Sequence, residues 1–284
     1  MPENQISKRH HYLPEFYLKR WAAANGKIVR YYRPCDQVVV SRHSPKGAGY
    51  EFGLYTLEGA SYPDLLEREF FKPVDDAAAP ILARLIDDGP ACLDGLDRTR
   101  WARFVMSLQL RGPHSLSELE QGLGRNLREV IERTRGIGAY EDALATAPEQ
   151  MANFHKACLP EFIDNAFNGT LLINMRWAVF DLSGGTHDLL TGDRPYLRWH
   201  GMGDPRCYLS VVISPTHLFV AANAMETLRA LESQARKYTI RNSNDQIVRM
   251  AVRDVYATGP SHKEFVEARL RRHGELIPGS ILGD

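Results

Sequence analysis

The sequence is short of most features that would place it quickly. It has four cysteines, Cys35, Cys92, Cys158 and Cys207, each alone with no CxxC pair, which argues against a disulfide framework and against structural zinc. The longest apolar runs, LFVAANAM at 218–225 and LSVVI at 209–213, fall far below the ~20 residues of a membrane span. The opening stretch MPENQISKRHHYLPEFYLKRW has no apolar centre of the kind a secretory signal requires. A cytoplasmic protein with no membrane partner is therefore expected. Charge of one sign is also missing, with 35 Lys and Arg against 35 Asp and Glu, so a uniformly basic nucleic-acid coat is excluded. No phosphate loop, dinucleotide fingerprint, nucleophile elbow, HExxH pair or EF-hand loop is present. Nothing in the sequence calls for an organic cofactor.

What is present is a globular composition. Apolar residues make up 44% of a 284-residue chain, enough to bury roughly three quarters of the unfolded surface in one large unit. One domain over 1–284 is expected. Its order reads as a short helix after Pro14, a hairpin from KIVRYYRP and QVVVSRH, an irregular loop over 44–63, and a helical block over about 63–175. A mainly β region over about 176–223 follows, with C-terminal helices over about 224–273. Trp101, Phe104, Val105 and Leu108 form one apolar helical stripe, with Asp97 as its expected N-cap. Ser115 with Glu118, and Ser243 with Gln246, have capping-box spacing, and Pro160 is expected to divide the last two helices of the block. Strands and helices are segregated, which predicts an α+β fold in which the N-terminal hairpin joins the later antiparallel sheet.

Candidate chemistry sits at element boundaries. His10 and His11 offer two imidazoles just before a helix, able to act as acid, base or phosphate partner; the plainer role is a cap or a carbonyl hydrogen bond. Arg111 closes the Trp101 helix, where a guanidinium fork suits phosphate but also suits the helix carbonyls. Asp193, in LLTGDRPY, is either a general base or divalent-metal ligand, or the holder of a tight turn. Tyr17, Gln109, Asn244 and Arg249 are candidate substrate contacts. Asn244 also reads as part of a cap, and Arg249 as the partner of Asp245 one turn earlier. Between Arg236 and His273, nine basic residues face four acidic ones, a local excess that the neutral total hides.

These segments resemble the bacterial domain-of-unknown-function family numbered 4238. HHYLPEFYLKRW is similar to the family's opening His-His-Tyr, Pro, Phe-Tyr-Leu signature. LYTLEG, FVMSLQLRGP, LLTGDRPY, VVISPTHL and RNSNDQIVRMAVRDVYA follow in the family's order. Gly192 and Arg194 stand where the family tends to have Ser and Asn, and Gly112 where a small hydroxyl residue is common, so the resemblance carries no hydroxyl role beside Asp193. It implies one unit and groups His10, His11, Arg111 and Asp193, without assigning them an activity.

Two functional expectations result. In the first, the protein hydrolyses a phosphate-containing substrate as a nuclease or phosphodiesterase, with the His pair as acid or base, Arg111 on the phosphoryl charge, and Asp193 orienting a His or holding a divalent metal. In the second, it is a non-catalytic binding or interaction protein, and the same residues form a buried polar network.

Overall fold

The computed structural model describes residues 9–271, which form the expected mixture of helices and antiparallel sheets. The described residues begin with a strand, β1 (Arg9–His11), and Pro14 then starts α1 (Glu15–Leu18), which tightens into a 3-10 turn ending at Trp21. Tyr17, Leu18 and Trp21 are buried. The hairpin is β2 (Ile28–Tyr32) with β3 (Val39–His43), and β4 (Tyr50–Phe52) returns to pair with β1. Gly49 precedes β4 at φ 63°, a left-handed conformation, and a Cβ there would lie 2.8 Å from the Leu13 Cβ. Only glycine lets this segment come close enough for its carbonyl to accept the Tyr12 and Leu13 N–H groups at 2.9 and 3.0 Å.

A π-helical turn (Leu66–Phe71) runs into α2 (Lys72–Asp87), followed by α3 (Gly95–Leu110) and α4 (Pro113–Arg135). The helical block ends with α5 (Ala139–Thr146), α6 (Pro148–Ala157), α7 (Leu159–Ile163) and α8 (Ala166–Asn174). Next come β5 (Arg176–Asp181), β6 (Thr191–Gly192), β7 (Tyr196–Trp199), β8 (Tyr208–Ser214) and β9 (His217–Ala222). The last elements are α9 (Met225–Glu232), α10 (Arg236–Met250), β10 (Asp254–Ala257) and α11 (Lys263–Glu267). One four-stranded sheet has the order β5-β9-β8-β7, and the other β3-β2-β10-β6. The predicted stripe of α3 is buried as expected, and Trp101 meets Phe219 of β9 edge-on at 5.7 Å, joining helices to sheet.

Several local expectations give way to tertiary contacts. The His pair stands just before α1 as expected, and it does so in a strand, β1, because β4 supplies its backbone partners. The N-terminal hairpin pairs through β2 with β10, whose other edge carries β6, and not with the β5-β9-β8-β7 sheet, so residues 176–223 are divided between two sheets and do not form one meander. Asp94, not Asp97, caps α3 by accepting the Asp97 N–H at 2.8 Å. Helix α4 starts at Pro113, whose ring already fits the first helical position, leaving Ser115 inside the helix. Residues 148–174 form three helices, not two, with Pro160 in the first turn of α7. Asn242 to Asp245 lie in the middle of α10 and do not cap it, and DVYA is strand rather than helix.

Candidate functional site

Strand alternation separates the two histidines. His10 is fully buried: its ring stacks on Tyr55 with centroids 5.5 Å apart, and its Nδ1 accepts the Tyr55 N–H at 2.8 Å. The proton of the neutral His10 ring therefore sits on Nε2. His11 reaches the surface of a cleft of about 580 Å³, within the size range of small-molecule sites. Its Nε2 lies 3.2 Å from the Lys46 carbonyl. A carbonyl can only accept, so Nε2 carries the proton and Nδ1 is the basic nitrogen. Burial, together with the positive charge of Arg111, holds the His11 pKa below the usual imidazole value, against the pull of the Lys46 carbonyl.

Arg111 lies just behind this cleft. It is fully buried at the end of α3 and forks onto the Asp75 carboxylate at 2.6 and 3.0 Å, while Nη2 also donates to the His11 carbonyl at 2.8 Å. Its guanidinium sits 4.8 Å from the Phe71 ring centroid, and its own carbonyl accepts the Tyr55 hydroxyl. Burial alone would weaken its hold on the proton. The Asp75 charge and the two bonds outweigh that and keep Arg111 above the ordinary arginine pKa. Its fork is thus already filled by a carboxylate, and Asp75 and His11, not Arg111, reach the cleft wall.

Asp193 is likewise engaged. Its carboxylate accepts three backbone N–H groups, from Val252 at 3.0 Å, Arg253 at 2.6 Å and Asp254 at 3.2 Å. A helix continuing past Met250 would direct those N–H groups to carbonyls four residues back, so Asp193 ends α10 and starts β10. Burial and then the neighbouring Asp254 charge push its pKa up to about 6, with the three N–H groups pulling the other way. Asp254 accepts from Arg30 at 2.8 and 2.7 Å, and from the hydroxyls of Tyr12 at 3.3 Å and Tyr256 at 3.2 Å. A Cβ on Gly112 would lie 3.6 Å from the Asp193 carbonyl, which places the α3–α4 junction beside the same network. The four singled-out residues therefore share one neighbourhood, each tied to its own partner. Among the described residues, no three His, Cys, Asp or Glu side chains are grouped to hold a metal ion.

The candidate substrate contacts scatter. The buried Tyr17 hydroxyl donates to the Val212 carbonyl at 2.6 Å and accepts from Thr191 at 2.7 Å. Gln109 is half-buried on α3 and does not line the His11 cleft. Arg249 pairs with Asp245 at 2.7 Å, as its spacing suggests, whereas Arg253 lies beyond the helix and pairs with Glu51 at 3.0 Å. Asn244 accepts the Leu190 N–H at 2.8 Å and donates to the Asp188 carbonyl at 2.9 Å, fixing the segment before β6. Replacing Asn244 with Ala strands both backbone groups and is expected to cost about 1–3 kcal/mol of stability. A urea midpoint unchanged within error would show that another contact holds this segment.

Two residues the sequence did not single out complete the cleft. Asp75 comes from the first turn of α2, and Glu67 from the π-helical turn, where the Lys72 N–H bonds the Glu67 carbonyl five residues back. Such wide turns are frequent at functional sites. Glu67 Oε2 is buried with no hydrogen-bond partner, and burial pushes the carboxyl up to about 7, with Arg111 lowering and Asp75 raising it. One trace was legible: Glu67 and Phe71 are four apart, which sets a carboxylate on the edge of an apolar stripe.

Over residues 9–261 the chain matches the model of the family described as "Protein of unknown function (DUF4238)". The chain belongs to the DUF4238 family. No curated protein and no solved structure matches it. The DUF4238 match takes in β1, the Arg111–Asp75 pair, the Asp193–Asp254 network and the whole His11 cleft. It ends at Ser261, so His262 and α11 lie past the DUF4238 span. Among the described residues no helix is long and apolar enough to cross a membrane.

Proposed function

We propose that the His11 cleft is a general acid–base site and that this DUF4238 protein is a hydrolase working there, with Glu67 as the acid and His11 as the base. The observation that carries this reading is Glu67, an unpartnered carboxyl oxygen in the cleft wall on a group titrating near 7. Burial holds the Glu67 pKa well above the ordinary carboxylate range, while burial and Arg111 favour the neutral ring of His11. A proton donor and a proton acceptor therefore coexist at one pH, which is the condition acid–base hydrolysis needs. His11 takes a proton from water as the water oxygen bonds to the scissile carbon, and Glu67 gives its proton to the leaving group as the bond from that carbon breaks. Arg111 acts as a positioning residue through the His11 carbonyl, and Asp75 holds Arg111. In this reading His10 and Asp193 brace the scaffold, as the network expectation has it.

The charge lining favours an uncharged scissile group over a phosphodiester. Lys19 is bound to Glu15 at 3.1 Å, Arg68 to Asp64 at 3.5 Å and Lys72 to Asp76 at 2.6 Å, so each of these cleft cations already faces a carboxylate. An ester, amide or glycosidic bond meets less repulsion there than a phosphate does.

The test needs no substrate. Carbon NMR titration of glutamate carboxyls, with Glu67→Gln to assign the resonance, is expected to show Glu67 titrating near neutrality. A midpoint in the ordinary glutamate range, about 4–5, would remove the acid from the mechanism.

A further inference from the structure

A second concavity, of about 320 Å³, lies between the first half of α10, the 186–187 turn and the segment around α11. It shares no lining residue with the His11 cleft. Its chemistry is the opposite. Three cationic side chains, Lys237, Arg241 and Arg269, and two imidazoles, His187 and His262, line it together with the amide of Asn244 and the hydroxyls of Thr186 and Ser261, and no carboxylate does.

Lys237 and Arg241 are four residues apart on α10, so they project from one face. Both are exposed, and neither has an ion pair or hydrogen bond among the described residues. Arg269 is held in place: Nε donates to Asp245 at 2.6 Å, Nη1 to the Phe265 carbonyl at 3.1 Å, and the guanidinium lies 3.8 Å from the Phe265 ring centroid. The nearest carboxylates are engaged or sit aside. Asp245 is shared by Arg249 and Arg269, and Asp188, outside the lining, faces its charge toward the His262 imidazole and not toward Lys237 or Arg241. The two imidazoles meet edge-on with centroids 5.9 Å apart. Unpaired cations on one wall, an anchored Arg on another, and Ile240 and Phe265 as the apolar surface between them suit a compact anion with a partly apolar body.

We propose that this pocket binds a small phosphomonoester, the phosphate held by Lys237, Arg241 and Arg269 and the body of the ligand lying against Ile240 and Phe265. The volume is close to the lower end for ligand sites, ~300 Å³, which suits a mononucleotide-sized molecule and not a dinucleotide. Part of the wall, His262, Phe265 and Arg269, lies beyond the span shared with DUF4238. The site is independent of hydrolysis at the His11 cleft.

The test is calorimetric titration of the full chain with adenosine 5′-monophosphate, glucose 6-phosphate and inorganic phosphate, with adenosine and a single-stranded oligonucleotide as further arms. At least one phosphomonoester is expected to bind and to weaken as salt is raised, with adenosine silent. The Lys237→Ala/Arg241→Ala double variant, altered only at exposed positions, is expected to lose at least about tenfold in affinity. Glu67→Gln is expected to bind as the unaltered chain does. No heat from any of the three phosphates at about 10 mM, a concentration at which even weak sites fill, would overturn the proposal. Equal binding by the double variant would also overturn it. So would an oligonucleotide bound more tightly than every monoester, which would make this face a nucleic-acid surface instead.

Discussion

Replacing Asp75 with Ala is expected to lower the unfolding free energy by about 3–5 kcal/mol, among the largest losses a single substitution can produce here. The Arg111 guanidinium is completely buried, two of its bonds go to Asp75 and one to the His11 carbonyl, and its Nε already lacks a partner. Without Asp75 a full positive charge stays inside the protein with one carbonyl as its acceptor. The cost is therefore that of an uncompensated charge rather than of a surface ion pair, whose loss costs ~0–1 kcal/mol. Guanidinium unfolding measures it directly. The double substitution Asp75→Leu/Arg111→Met is expected to recover much of the loss, because an apolar pair of similar volume removes both desolvation penalties. If Asp75→Ala alone unfolds within about 1 kcal/mol of the unaltered chain, the pair is not the buried clamp described above.

Glu67→Gln is expected to divide activity from stability. As the proton donor, Glu67 should contribute about 10²–10⁴ in kcat/KM on whichever ester, amide or glycoside substrate is turned over, with His11→Ala giving a loss of similar size. The stability effect has the opposite sign. Burial raises the carboxyl from 4.5 to about 7 in the folded state, so between those values the native protein holds a proton that the unfolded chain has released. The stability arising from this proton is complete below pH 4.5 and is lost as the pH rises through about 7. Above that pH the charged carboxylate costs the native state on the order of 2–3 kcal/mol, which the neutral amide avoids. Glu67→Gln should therefore be the more stable protein at pH 8, and the difference should close by pH 4. A glutamine variant that keeps full activity, or that is equally stable relative to the parent at both pH values, would show Glu67 to be an ordinary side chain.

The same physics separates what could be read along the chain from what could not. Apolar periodicity is a local property, so the α+β class, the residue 28–43 hairpin, the buried stripe of α3 and the mainly β character of about 176–223 are all legible along the chain alone. Membership of the DUF4238 family was legible too, and the match over residues 9–261 bears it out. Element boundaries failed where a distant side chain supplied the deciding bond. Asp193, about 60 residues away, takes the N–H groups of Val252 to Asp254 and turns an expected helix into β10. Asn244 has a cap-forming side chain, yet it sits in mid-helix because Leu190 and Asp188 offer its amide both a donor and an acceptor.

The chemistry follows the same division. Which groups are available is written along the chain: two adjacent imidazoles, an arginine closing a helix, an aspartate in a tight turn, and a basic excess after residue 236. The sequence could not rank them, because a group's protonation and reach depend on how much water and which charges surround it, and both are set by segments far apart in the chain. It takes the folded chain to spend Arg111 on Asp75, 36 residues away, to fill Asp193 with backbone N–H groups, and to leave Glu67, on a cleft wall, with one buried, unpartnered oxygen. In LEREFF that glutamate looks like one more solvated helix charge. Folding takes the water from one of its carboxyl oxygens and gives that oxygen no partner, and this partial desolvation, which no local pattern encodes, makes it the strongest candidate for the chemistry.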